Sequence, residues 1–143
     1  WPDARKAGVL GRLSLMDNAE FRRELAMRAD IMLYPDARGE SRTILLDAMA
    51  SSVALVAATD PLAESLIDGT TCRLVTDPTE HQWQEAIEHL VQDPAARRRL
   101  SESATAYIHE HHRATRQIVS LTAAYEWVAG DPVRIGANDP API

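Results

Sequence analysis

Two continuous apolar runs, Ile31-Met32-Leu33-Tyr34 and Val53-Ala54-Leu55-Val56-Ala57-Ala58, constrain this chain more than any other feature. Neither alternates polar with apolar residues, so each predicts a strand buried on both faces of a sheet. Pro35 stops the first run. Between the runs, Ile44, Leu45, Ala48 and Met49 recur at helical spacing. Upstream, Val9-Leu10-Gly11-Arg12-Leu13 predicts a short strand and loop. A helix capped by Asp17 or Asn18 should follow, with Phe21, Leu25 and Ala29 on its apolar side. Strand, helix, strand, helix and strand thus succeed one another over about fifty residues. That order predicts an α/β fold, a Rossmann-like parallel sheet with flanking helices.

The rest of the chain is more broken. Leu62 to Ile67 predicts a helical turn or two, Asp68-Gly69-Thr70-Thr71 a turn, and Cys72-Arg73-Leu74-Val75 an edge strand. From Thr79 the pattern is helical, which makes the C-terminal third a helical one. Thr79 caps a first helix whose core face is Trp83, Ile87, Leu90 and Val91. Asp93 caps a second, with Pro94 in the favoured first position. A third carries Ile118, Leu121, Tyr125 and Val128 and stops at Gly130. Residues 1–130 therefore read as one domain. Residues 131–143, with three prolines and little apolar content, read as a flexible tail.

Composition narrows the function classes. A net charge of -6 at pH 7 argues against nucleic-acid binding, which draws its affinity from a basic surface. Cys72 is the only cysteine, so no internal disulfide can form, and a reducing cytoplasm is the expected compartment. Cys72 itself reads as a small buried apolar residue. No apolar run approaches the roughly 20 residues that span a bilayer, and no apolar segment follows Trp1–Lys6 to make a signal peptide. With no initiator Met, the chain reads as a fragment or a processed piece.

Open parallel sheets bind ligands at the carboxyl ends of their strands. The loop Asp36-Ala37-Arg38-Gly39-Glu40-Ser41 follows such an end and opens a helix near Arg42. The free N–H groups of that helix start could hold a diphosphate, with Arg38 and Arg42 adding positive charge. Glu40 and Asp47 flank the same helix start and could accept hydrogen bonds from sugar or ribose hydroxyls. On these residues alone a plainer reading is the stronger: Glu40 an ordinary cap, Asp47 a solvated face, the arginines surface charge.

The order of the motifs shifts that balance. Val9-Leu10-Gly11, then Ala29-Asp30 leading into Ile31–Pro35, then Glu40-Ser41-Arg42-Thr43-Ile44-Leu45-Leu46-Asp47-Ala48-Met49-Ala50 resembles the C-terminal domain of family 4 (group 1) glycosyltransferases. The segment Pro61–Val75, with its Glu64 and Asp68-Gly69, and the run Asp93-Pro94-Ala95-Ala96-Arg97-Arg98-Arg99-Leu100 resemble later pieces of the same pattern. The match covers about residues 8 to 127. It implies a partial C-terminal GT-B domain and a retaining, metal-independent glycosyltransferase with a nucleotide-sugar donor and no cofactor. By that resemblance Glu40 is the catalytic-site acid facing the transferred sugar, and Asp47 binds the ribose. Ser41, Arg42 and Thr43 present amides to the diphosphate, Arg38 lends charge, and the loop around Leu13 lies beside the base.

The chain also departs from the family. The family's spacing puts the first acid at Gly39, one position before Glu40. Asp36 stands where Ser is usual, Ser52 and Ala54 where Gly and Pro are usual, and Cys72 where Gly is usual. The family's phosphate-binding Arg and Lys and its N-terminal acceptor domain lie outside this chain, so no turnover is expected from it alone. The competing reading is a non-catalytic relative kept as a structural or partner-binding domain.

Other signals are read plainly. His109, Glu110, His111 and His112 lack metalloprotease spacing and read as a solvated helix end rather than a metal site. Trp83 and Tyr125 read as core or domain-packing anchors. Arg97-Arg98-Arg99 reads as a solvated face, one that a peripheral enzyme at the inner membrane surface could set against anionic lipid. Ser41 and Ser52 have no Gly-x-Ser-x-Gly context for nucleophilic catalysis.

Overall fold

The computed structural model of the chain describes residues 2–14, 22–36 and 43–130. The expected caps Asp17 and Asn18, the apolar Phe21, the loop residues Arg38, Glu40, Ser41 and Arg42, and the tail 131–143 lie outside them. Six helices and three strands are described: α1 (Pro2–Lys6), α2 (Arg22–Ala26), β1 (Ile31–Tyr34), α3 (Thr43–Ala50), β2 (Ala54–Ala58), β3 (Arg73–Val75), α4 (Glu80–Gln92), α5 (Pro94–His111) and α6 (Ala114–Val128). The strands form a parallel sheet in the order β1-β2-β3, with Ile31 paired to Ala54 and Val56 to Arg73.

The two-residue period of a strand sends alternate side chains to opposite faces, and both faces are covered. Leu55 and Ala57 of β2 join Leu45 and Met49 of α3 and Ala104 of α5 in one core, with Met32 and Tyr34 of β1 packed against it. Ala54 and Val56 join Val75, Ala86 and Leu90 of α4 and Leu100 of α5 on the other side, with Ile31 and Trp83 against them. Every residue of β2 is buried, as a central parallel strand requires. The expected α/β sheet with flanking helices and a helical C-terminal part is what the chain forms.

Hydrogen bonds fasten α3 to α5. The Thr105 hydroxyl lies 2.8 Å from the Met49 carbonyl at the end of α3 and 2.9 Å from the Ser101 carbonyl of its own helix. Arg97 reaches from α5 to the Leu90 carbonyl at 3.0 Å and to Asp30, just before β1, at 3.5 Å. One of the three consecutive arginines is thus a tie across the fold, not part of a solvated face. The expected caps form: Thr79 accepts from the Gln82 amide at 3.3 Å and Asp93 from the Ala96 amide at 2.9 Å, with Pro94 opening α5. Gly130, at φ +82, follows the end of α6.

Five expectations need correction. Residues 9–13 form no strand. Gly8 turns the backbone at φ +69, and Leu10–Arg12 is a 3₁₀ turn closed by the Arg12 amide on the Val9 carbonyl at 2.9 Å. Leu62 to Ile67 is a chain of single turns, because the buried Thr71 hydroxyl captures the Ile67 amide and the Ser65 carbonyl that a helix would need. β1 is an edge strand of the described sheet with no fully buried residue, and Leu33 is 47% exposed. Val91 lies exposed on α4. The apolar stripe of α6 buries nothing: Ile118 is 63% and Tyr125 68% exposed, so Tyr125 anchors no core in the described chain.

Candidate functional site

The carboxyl edge of the sheet is assembled from three strand ends. β1 stops at Tyr34, and α3 opens on the same edge at Thr43 before running back toward the start of β2. No acid lies in the first turn of α3, so none of its own described side chains there offsets the positive end of its dipole. Thr43 and Asp47 are both exposed and, four residues apart, share one face of the helix.

Asp47 lines a cavity of about 230 Å³ that runs beside β1 between α2 and α3, with Leu25, Ile31, Met32, Ile44 and Val53 among its walls. Among the described residues, Asp47 is the only ionisable one that lines it. An apolar slot with one carboxylate can hold a flat ring and accept hydrogen bonds from hydroxyls beside it. Leu13 stands exposed behind the 3₁₀ turn, its amide on the Leu10 carbonyl at 3.2 Å. The described hydrogen bonds of residues 2–13 stay within that segment, so none brings Leu13 to Thr43 or Asp47.

The second strand end holds a residue that the sequence reading passed over. Asp60 is only 7% exposed, and its Oδ1 accepts the Leu62 amide at 2.9 Å. The Thr59 amide just before it reaches the Val75 carbonyl at 3.1 Å, which ties the ends of β2 and β3 together. The available signal was the Asp-Pro step directly after an apolar strand, a turn signature.

Asp68, in the Asp-Gly motif, is structural. Its Oδ1 accepts the Leu74 amide at 2.8 Å and its Oδ2 faces Arg73 at 3.5 Å, while Gly69 turns at φ +70. Burial pushes the neighbouring Cys72 thiol up to about 11, so it stays protonated and unreactive at neutral pH. The histidines cluster on Tyr107, whose ring lies 4.5 Å from His111 and 5.8 Å from His112. Among the described residues no group of three or more His, Cys, Asp or Glu is placed to hold a metal ion. No described helix is long and apolar enough to cross a membrane.

The parallel sheet, the helix opening at its carboxyl edge and the helical C-terminal part define a class: the fold is that of the C-terminal domain of GT-B glycosyltransferases. Neither a family model nor a curated protein sequence matches the chain. Solved structures do. The C-terminal domain of a glycosyl transferase group 1 family protein (LpcC) from Francisella tularensis matches with a TM-score of 0.66 at 17% identity, over 79% of this chain and 60% of that one. Sucrose-phosphate synthase from Thermosynechococcus elongatus matches with a TM-score of 0.81 at 15% identity, over 92% of this chain. The match spans only 34% of the length of the synthase.

Proposed function

We propose that this chain is the donor-binding part of a retaining, metal-independent glycosyltransferase that acts on a nucleotide sugar and uses no cofactor. The observation that carries the reading is the β1–α3–β2 unit, which opens a helix at the carboxyl edge and sets an exposed Asp47 one turn along it. In this reading Asp47 accepts the ribose hydroxyls, and the amides of Ser41, Arg42 and Thr43 receive the diphosphate beside Arg38. Glu40 faces the transferred sugar, and Leu13 lies by the base. The exposed apolar stripe of α6 is the surface we assign to an acceptor-binding part. A non-catalytic relative that uses the α6 stripe to bind a partner is the second reading.

Calorimetric titration of the full-length polypeptide with UDP-, GDP- and ADP-sugars separates the two. One base class should bind. Asp47→Ala should weaken it about tenfold or more, as expected for a lost hydrogen bond to a charged group. Asp47→Glu should restore binding and His111→Ala leave it unchanged. A folded sample that gives no heat with any donor would overturn the proposal.

A further inference from the structure

A cavity of about 380 Å³ lies at the amino edge of the sheet, where β3 starts, α4 ends and α5 begins, across the sheet from the opening of α3. Small-molecule sites typically measure roughly 300–1,000 Å³. Its apolar part is the buried pair Leu90 and Leu100, and its polar part is Arg73, His89, Arg99 and Ser103. Arg73 is engaged by Asp68 at 3.5 Å. The side chains of His89, Arg99 and Ser103 make no hydrogen bond or ion pair with any described residue. Two of the nearby acids are engaged elsewhere. Asp68 holds the Leu74 amide and Arg73, and Asp93 caps α5 on the Ala96 amide. That amide chiefly, with the charges of Arg99 and His89 beyond it, keeps the Asp93 carboxyl below its ordinary range.

Three solvent-facing donors without a protein partner among the described residues, set around an apolar patch, suit a ligand with three acceptor oxygens at one end and a carbon frame at the other. An arginine fork pairs with two phosphate oxygens at once, and a ring N–H and a hydroxyl can serve the third. We propose that this pocket binds a small organic phosphate, its phosphoryl group on Arg99, His89 and Ser103 and its frame against Leu90 and Leu100. The site is separate from the one assigned to the donor and does not depend on that reading.

Amide chemical shifts of the 143-residue chain, titrated with phenyl phosphate, inorganic phosphate and phenol, test it. Phenyl phosphate should move the Gly69, Ala96 and Ser103 amides saturably, inorganic phosphate should do so more weakly, and phenol should not. Arg99→Met should weaken phenyl phosphate about tenfold, the loss expected for one charge-assisted contact. Ser103→Ala should weaken it less, and Arg116→Met, which removes a cation outside the pocket, should leave it unchanged. Both arginine positions are exposed, so circular dichroism should show each variant folded. Absence of saturable shifts with either phosphate would overturn the proposal, as would equal weakening by the two arginine variants. Inorganic phosphate binding as tightly as phenyl phosphate would remove the role given to the leucines.

Discussion

Replacing Ser52 by glycine should leave a more stable protein than replacing it by alanine, although alanine is the larger residue and the better former of regular structure. Ser52 is the only non-glycine described residue with positive φ, at 57°. It stands just past the end of α3, where its amide bonds the Met49 carbonyl at 3.2 Å and the Val53 amide bonds the Ala48 carbonyl at 3.1 Å. That pair of bonds is the helix-ending motif in which the left-handed position is usually glycine. The serine is held there by its hydroxyl, 3.0 Å from the Thr105 oxygen. Either hydroxyl can donate in this contact, and Thr105 also lies within reach of the Met49 and Ser101 carbonyls. Both substitutions delete the Ser52 hydroxyl, and their difference isolates the backbone. Removing the β-carbon from a left-handed residue relieves about 1–2 kcal/mol. The freer unfolded chain of glycine takes back about 0.4–1 kcal/mol. At mid-range values Ser52→Gly should thus exceed Ser52→Ala by about 0.8 kcal/mol, or about 2–3 °C in melting temperature. Urea denaturation at matched m-values reads the difference. An alanine variant as stable as the glycine variant would refute the reasoning.

Two further outcomes follow from buried groups. Thr71→Val keeps the shape but removes the hydroxyl, which lies 2.5 Å from the Ser65 carbonyl and 2.8 Å from the Ile67 amide. It should destabilise by about 1–3 kcal/mol because those part-buried groups lose their partner, and a urea midpoint equal to the parent's would contradict this. Cys72 has a folded pKa raised from 9.0 to about 11 by burial. A raised pKa stabilises the protonated thiol in the fold, so that contribution is complete below about 9 and is lost as pH climbs through about 11. Stability of the parent should fall across that window relative to Cys72→Ala, and parallel curves for the two would exclude the thiol as the cause.

The parts of the fold legible in the sequence were those fixed by local chemistry or by complete burial. Val53–Ala58 read as a two-sided strand because both of its faces meet helices, and the caps Thr79 and Asp93 read correctly because a cap needs only its next three residues. Errors arose where a distant group decided the local state. Leu62–Ile67 has helical spacing, yet a hydroxyl four or more positions onward, on Thr71, takes its backbone partners. Arg97 resembles its two charged neighbours, and only the fold reveals Asp30 within 3.5 Å of it. The candidate site divides similarly. Thr43 and Asp47 share a helix face as their spacing requires, whereas the apolar slot beside Asp47 depends on α2 and could not be read from α3 alone. Arg99, His89 and Ser103 come from two helices and meet at one cavity, a proximity with no sequence signature.

The errors at Leu33 and along α6 are of another kind. In both places the apolar pattern is genuine, but nothing in the described chain covers it. Turning by about 100° per residue, a helix sets Ala114, Ile118, Leu121, Tyr125 and Val128 along one side of α6, with Arg116 and Ser120 but also the exposed Val119 and Trp127 on the other. A 15-residue helix that buries no side chain gains little from packing, and isolated helices of that length are marginal in water. The apolar side of α6 therefore has no cover among the described residues. The same holds for β1, whose Leu33 continues the apolar row begun by Ile31 but extends past the reach of α4 and α5. Hydrophobic periodicity therefore reports every burial a segment is built for, inside the chain or against another part of the polypeptide. The sheet cores around Leu55 and Val56 are burials of the first kind. The stripe of α6 meets no cover among the described residues, so its burial is left to the partner proposed for it.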